Sequence, residues 1–268
     1  MKKKRLIPVL LLKNGWLVKS KRFSRYQNLG NPSTAVKRLS EWDSDELIFL
    51  DISTDDVYDI RRDDQGYANP QSFLEIIDDV AKVTFMPVTI GGKIRSLVDI
   101  EKRLVLGADK VSINSIAVVD KTFIKQAAQE FGSQCIVVSI DVKNVDGKYT
   151  IFSDGGKTPV QYNVIEWSTI VEDLGAGEIL LNSIDRDGMG NGYDMALLKL
   201  VSENVNIPVI ACGGVGDWRH FGEALEGTAV DAVAAANIFH FVDQSVFLAK
   251  KYLYDKGFNV RNPALINI

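Results

Sequence analysis

Hydrophobic positions along this chain fall into short unbroken runs, separated by longer stretches where apolar residues return every three or four positions. The runs cover 6–12, 47–52, 86–90, 110–113, 135–141, 178–183, 208–212 and 231–235, and they are rich in valine, isoleucine and leucine. Unbroken rather than alternating hydrophobicity predicts parallel strands buried on both faces. Helical periodicity occupies Pro32–Trp42, Pro70–Val83, Leu97–Leu106, Asp120–Glu130, Val164–Leu174, Met195–Val205 and Trp218–Leu225. Strand followed by helix, repeated over 268 residues, predicts an α/β fold: one (β/α)8 barrel domain spanning 1–268. An open doubly wound sheet is the alternative, but its glycine-rich dinucleotide fingerprint is missing after the first strand.

The pattern also repeats itself. Met86-Pro-Val-Thr-Ile-Gly-Gly-Lys-Ile returns as Ile207-Pro-Val-Ile-Ala-Cys-Gly-Gly-Val, and Asp45-Glu46-Leu-Ile-Phe-Leu returns as Gly177-Glu178-Ile-Leu-Leu-Asn. Val9-Leu-Leu11-Leu-Lys13-Asn-Gly returns as Ser139-Ile-Asp141-Val-Lys143-Asn-Val-Asp-Gly. A period of about half the chain predicts a barrel made of two pseudo-symmetric half-barrels. The third correspondence sets Leu11 opposite Asp141, so two equivalent positions for acid/base chemistry hold only one acid.

Composition narrows the function classes. A net charge of -4 gives no footprint for nucleic acid, and no stretch approaches a membrane span. The basic start, Met1 to Arg5, precedes an apolar run too short and too proline-marked for a signal peptide, so it is expected to be the buried first strand. Cys135 and Cys212 lie inside apolar runs and are expected as reduced core thiols of a cytoplasmic protein. His220 and His240 are the only histidines and have no spaced companions, so neither a metal nor a cofactor is expected. Cys212 has no obvious base, and no Ser-His-Asp set is visible. The four tryptophans are expected in the core or at its rim.

In a (β/α)8 barrel the chemistry sits at the strand C-termini. Gly213-Gly214 after the seventh strand and Ala236-Asn237 after the eighth are placed where this fold usually cradles phosphate. Gly91-Gly92-Lys93 and Asn114-Ser115 form the matching pair after the third and fourth strands. Two facing cradles suggest a substrate with two phosphates, or a long phosphorylated one. Lys93, standing where the other half has Gly214, either pairs with a phosphate or plugs the cradle. Asp51, Asp141 and Asp187 end or follow apolar runs, and Asp141, then Asp187, are the candidate general acid/base residues. Asp185 and Arg186 are expected to form a loop ion pair. At the opposite end, Arg5, Glu46, Lys110 and Glu178 begin the first, second, fourth and sixth strands. Charges aimed into a barrel axis need partners, so a mutually paired ring is expected.

Further motifs carry a resemblance across nearly the whole chain, from Arg5-Leu-Ile-Pro8 to Asn259-Val-Arg261. They are Asp45-Glu-Leu-Ile-Phe-Leu-Asp51-Ile, Gly107-Ala-Asp-Lys-Val-Ser-Ile-Asn114, Phe131-Gly-Ser-Gln134, Gly175-Ala-Gly-Glu-Ile-Leu180 and Ser183-Ile-Asp-Arg-Asp-Gly188. The chain resembles the cyclase subunit of imidazole glycerol phosphate synthase, the ammonia-using half of a glutamine amidotransferase in histidine biosynthesis. The resemblance implies a barrel whose bottom docks a class I glutaminase as a heterodimer partner. Ammonia would then pass an ionic gate at Arg5, Glu46, Lys110 and Glu178. It also implies docking positions at Asp109, Gln134 and Arg261, a catalytic Asp141, and substrate contacts from Lys19 on the first loop, Asn114, Gly213 and Gly214. Gly188 and Ser115 join the substrate-side candidates.

The departures all fall on the substrate side. The family's first catalytic aspartate is Leu11, a phosphate-contacting glycine is Lys93, and segment 54–69 is longer than the family pattern. This combination resembles paralogues associated with bacterial surface-polysaccharide genes, which work with a glutaminase and a third, sugar-amidating enzyme. Expected function is therefore an ammonia-using synthase subunit acting on a phosphorylated or nucleotide-linked sugar. The alternatives are a histidine-pathway cyclase and a non-catalytic, glutaminase-activating ammonia conduit.

Overall fold

Each of the eight apolar runs becomes a strand, and together they close a parallel barrel. The computed structural model describes residues 2–55, 57–58, 72–240 and 245–264. In chain order the first half contains β1 (Arg5–Lys13), β2 (Trp16–Lys21), β3 (Arg25–Gly30), α1 (Pro32–Glu41), β4 (Leu47–Asp51), α2 (Phe73–Ala81), β5 (Val88–Gly91), α3 (Leu97–Val105), β6 (Lys110–Ile113), α4 (Ser115–Val119) and α5 (Thr122–Phe131). The second half contains β7 (Ile136–Val145), β8 (Lys148–Ser153), β9 (Thr158–Pro159), α6 (Val164–Asp173), β10 (Glu178–Ser183), α7 (Met195–Ser202), β11 (Val209–Cys212), α8 (Arg219–Gly227), β12 (Ala232–Ala235) and α9 (Val246–Asp255). Parallel pairing runs β1–β4–β5–β6–β7–β10–β11–β12 and returns from β12 to β1, closing the (β/α)8 barrel.

The period-two geometry of a strand explains why both faces are apolar. Along β1, Leu6, Leu10 and Leu12 pack outward against the helices, whereas Ile7, Val9 and Leu11 point into the barrel. The interior narrows to small side chains on one side, where β12 contributes Ala232 and Ala234. Helix starts follow from their caps. Asn31 accepts from the Ser33 N–H ahead of Pro32, and Ser96 and Asp99 form a reciprocal capping box on α3. No helix among the described residues is long and apolar enough to cross a membrane.

Several elements differ from the sequence expectation. β2 and β3 form an antiparallel hairpin on β1, and β8 and β9 form one on β7, so the pseudo-symmetry extends to both hairpins. α4 and α9 are additional helices. The helix expected from Pro70 begins at Phe73 behind the Ser72 cap, Pro70 itself lying outside the described residues. Cys135 is only half-buried, in a tight turn ahead of β7, while Cys212 is buried on β11; both are free thiols.

α9 carries a fully buried lysine. Lys250 Nζ meets Asp45 Oδ1 at 2.8 Å and Asp43 Oδ2 at 3.2 Å, and it also donates to the Asp43 carbonyl. Arg261 pairs with both aspartates from the other side. The second oxygen of Asp45 accepts from the Leu6 N–H at 2.9 Å, which ties the cluster to the start of β1. Replacing one partner of a buried ion cluster strands the rest. Lys250→Met should therefore cost about 3–5 kcal/mol, read as a lower midpoint in denaturant unfolding.

Candidate functional site

The strand C-termini gather the chemistry around β7 and β10. Asp141 on β7 is buried and stands in register beside Asn182 on β10. Asn114, just past β6, donates from Nδ2 to Asp141 Oδ2 at 2.9 Å, and the Ser139 hydroxyl lies 3.4 Å from Oδ1. Burial pushes the Asp141 carboxyl up to about 7, even though hydrogen bonds from Ser139, Asn182 and Asn114 pull it down. The nearby charge of Asp187 adds to the rise. A carboxyl poised near neutral pH can both accept and return a proton. Asn182 was not among the sequence candidates. Its signal was a polar residue directly after the apolar run 179–181 of β10, where the repeat in the first half has Leu50.

That first half shows what the loss of the acid does. Leu11 is in register with Leu50 on β4, as Asp141 is with Asn182 on β10. Leu11 packs with Val18, Ile7 and Val9 in the interior cluster, and Leu50 and Ile52 lie against it. An acid and its carboxamide neighbour are thus both replaced by leucine, and this side of the mouth is apolar.

Asp187 is placed differently from Asp141. Its Oδ2 accepts from the Ser20 hydroxyl at 2.6 Å and from the Phe23 N–H at 3.2 Å, and its carbonyl accepts from the Arg22 N–H at 3.0 Å. Burial raises its pKa, while the Ser20, Phe23 and Arg22 donors work against the rise. Asp187 therefore ties the β2–β3 hairpin over the barrel mouth. Gly188 and Asn237 join that contact. A Cβ on Gly188 would lie 2.2 Å from the Ser20 carbonyl, which Asn237 Nδ2 binds at 2.7 Å. Lys19 rides on the same hairpin, near enough to His240 that its charge, after burial and Arg38, helps hold that imidazole down to about 4.

The glycine pair of the second half is shaped by backbone crossing. A Cβ on Gly214 would fall 2.2 Å from the Gly192 carbonyl, and the Gly192 N–H donates to the Gly214 carbonyl at 2.8 Å. Gly213 and Gly214 adopt φ of 95° and 112°. Their counterparts keep that form, with Gly92 at 99° and Lys93 at 55°. A lysine in the left-handed region costs about 1–3 kcal/mol and persists only when its surroundings hold it. What holds Lys93 is Asp51, whose Oδ2 lies 3.4 Å from Nζ, together with the Asp55 carbonyl and the ring of Tyr58. Asp51 also accepts from the Tyr58 hydroxyl at 2.9 Å and from the Ser53 amide at 2.9 Å. Lys93 is thus drawn onto Asp51 and not left free over the Gly91-Gly92 turn. Ser115 Oγ accepts from the Asp154 N–H at 3.1 Å, at the β8–β9 turn, and Ala236 lies half-buried against the interior cluster. Asp185 corrects another expectation: it makes no ion pair with Arg186 and instead accepts from the Asn144 N–H at 2.6 Å. Segment 54–69 lies mostly outside the described residues.

At the strand N-termini the four charges close a ring of alternating sign. Arg5 lies 2.6 Å from Glu46 and 3.0 Å from Glu178, and Lys110 lies 3.2 Å from each of the same two carboxylates. Burial alone would lower the Arg5 guanidinium, but the pull of Glu178 and Glu46 outweighs it and raises its pKa. Around this end lie Asp109, which accepts from the Val88 N–H at 2.8 Å, exposed Gln134 ahead of β7, and Arg261 on Asp45.

A closed barrel with a near-neutral carboxyl at one end and a paired ionic ring at the other fits a synthase- or cyclase-like subunit. Residues 5–245 match the family described as histidine biosynthesis protein, and the chain belongs to it.

Proposed function

We propose that this barrel is the ammonia-using subunit of a glutamine amidotransferase pair, acting on a phosphorylated or nucleotide-linked sugar. A class I glutaminase would dock at the strand N-termini, near Asp109, Gln134 and Arg261, and release ammonia at the ring of Arg5, Glu46, Lys110 and Glu178. Asp141 would move protons on the substrate side, with Lys19 and the loops after β11 and β12 receiving its phosphate. One observation carries this reading: a complete four-charge ring lies beneath a mouth where Leu11 and Leu50 replace a polar pair. The ring keeps the charges that an ammonia gate would need, and the departures fall at the other end. The test is growth of a histidine auxotroph lacking its own cyclase, supplied with this barrel and its cognate glutaminase. No growth is expected; restored growth would make the protein a histidine-pathway cyclase.

A conduit that conducts ammonia to a third enzyme without chemistry of its own is favoured by one contact. Asp187, the second candidate acid, is occupied with Ser20 and the hairpin. Asp141→Asn separates the two readings: lost product assigns chemistry to the barrel, and retained product makes it a conduit.

Leu11→Asp alone should not create efficient histidine-pathway cyclisation. The new carboxylate would face Leu50 instead of an asparagine, and the ion pair of Lys93 would still close the neighbouring cradle. Turnover of the histidine-pathway substrate by this variant, measured with ammonium as nitrogen source, should stay at least about a hundredfold below that of an ordinary cyclase.

A further inference from the structure

We infer that the Lys93–Asp51–Tyr58 cluster is a specificity device that closes one of the two symmetric anion cradles, so that the site takes a substrate carrying a single phosphate group. The inference rests on the phosphorylated-substrate part of the proposed function and narrows it. The two cradles share a backbone form, with paired positive φ at 92–93 and at 213–214. They differ in what fills them. In the second half the positions equivalent to Asp51 and Lys93 are Ser183 and Gly214, which bring neither a side-chain charge nor a long side chain. In the first half Lys93 Nζ lies 3.4 Å from Asp51 Oδ2, and the carboxylate is fully screened from solvent. The Tyr58 hydroxyl donates to the same Oδ2 at 2.9 Å, and its ring faces Nζ at 5.0 Å.

A lysine serving a phosphate needs its charge free, whereas this one is neutralised before any ligand arrives. A phosphate brought to that cradle would meet the Asp51 carboxylate behind the ammonium and would have to displace an existing pair. Beside it, Leu11 and Leu50 offer no hydrogen bond. Across the mouth, Asn114 Oδ1 and Asn182 Oδ1 are buried acceptors without a partner, flanking Asp141. The part of the ligand at Asp141 therefore donates hydrogen bonds, as a hydroxyl or an amine does, and its one phosphate lies toward the loops after β11 and β12.

Calorimetric titration of the full chain with inorganic phosphate tests this without a glutaminase or a known product. One phosphate should bind per barrel, and fructose 1,6-bisphosphate should bind within about threefold of fructose 6-phosphate. Asp51→Asn, which releases Lys93, should add a second phosphate and tighten the bisphosphate by about tenfold or more. The double variant D51S/K93G copies the second half of the chain. It should also gain the second phosphate, so a folding defect in either variant leaves the other to decide. The inference is overturned by two phosphates on the unmodified protein, by none, by a tenfold loss of phosphate in Lys93→Met, or by variants that keep one. Two phosphates on the unmodified protein would leave the ammonia-transfer proposal standing, and failed ammonia transfer would leave the phosphate count unaffected.

Discussion

Under the proposed function, replacing Asp141 with asparagine should abolish product formation while leaving glutamine hydrolysis by the proposed glutaminase partner intact. Among the described residues the carboxyl is the one acid at the barrel mouth held by carboxamide donors and not tied to the β2–β3 hairpin, and burial brings it to about 7. Asparagine keeps the shape and one hydrogen-bonding oxygen but can neither take nor return a proton. Loss of one positioned acid/base typically costs about a hundred- to ten-thousandfold in rate. Product formation from ammonium, measured with the partner present, should fall within that range. Unchanged product from the variant complex would mean that the barrel only conducts ammonia.

The same substitution has a signature that needs no substrate. The folded carboxyl titrates near 7, against about 4 for an unfolded aspartate, so the folded state binds the extra proton between those values. Stability from this raised pKa is fully present below about pH 4 and is lost as pH climbs through 7. The loss is of order 4 kcal/mol at most. Asparagine carries no such dependence. Asp141→Asn should therefore unfold at a higher temperature than the parent at pH 8, with the advantage shrinking steadily toward pH 5. A constant difference across that range would place the ordinary aspartate pKa at this position.

The barrel was legible because strands buried on both faces leave unbroken apolar runs, and all eight became barrel strands, most with shifts of a residue or two; β7 runs on to Val145, four residues past its apolar run, because its end pairs with β8. The hairpins were not, because β3 is exposed along most of Arg25–Gly30 and carries no alternation for a strand to declare itself. α9 was hidden by Lys250, which puts a charge at a fully buried helical position and breaks the periodicity the eye follows. At the site, the ring was announced by charges of both signs at the starts of four strands, two acids and two bases that can pair across the axis. Asn182 escaped notice because it lies inside β10, whereas the amides that stood out, Asn114 and Asn237, follow their strands. The tie from Asp187 to Ser20 joins residues 167 positions apart and exists only once the hairpin folds back. Lys93 stands out against Gly214 in the repeat, but its pairing with Asp51 and Tyr58 depends on side chains that spacing alone does not bring together.

Under the proposed function, Lys110→Met should uncouple glutamine hydrolysis from product formation while the barrel and its proposed glutaminase still bind. Lys110 bridges Glu46 and Glu178 at 3.2 Å to each, and Arg5 closes the ring from the other side. Methionine has similar length and no charge, so two carboxylates share one cation, and Glu178 already has one oxygen without a hydrogen-bond partner. These side chains keep 11–20% of their surface exposed, so water softens the penalty well below that of a sealed ion pair. The fold should survive, and the ring's arrangement should not. A repulsive, water-drawing ring disfavours passage of neutral ammonia, and a barrier raised by roughly 1–2 kcal/mol slows it by about five- to thirtyfold. Glutamine-dependent product formation should drop by that factor. Product formation from free ammonium at high concentration, which can enter from the open end of the barrel, should hold within about twofold of the parent. Equal loss with both nitrogen sources would assign the ring to holding the barrel together, with ammonia taking another route.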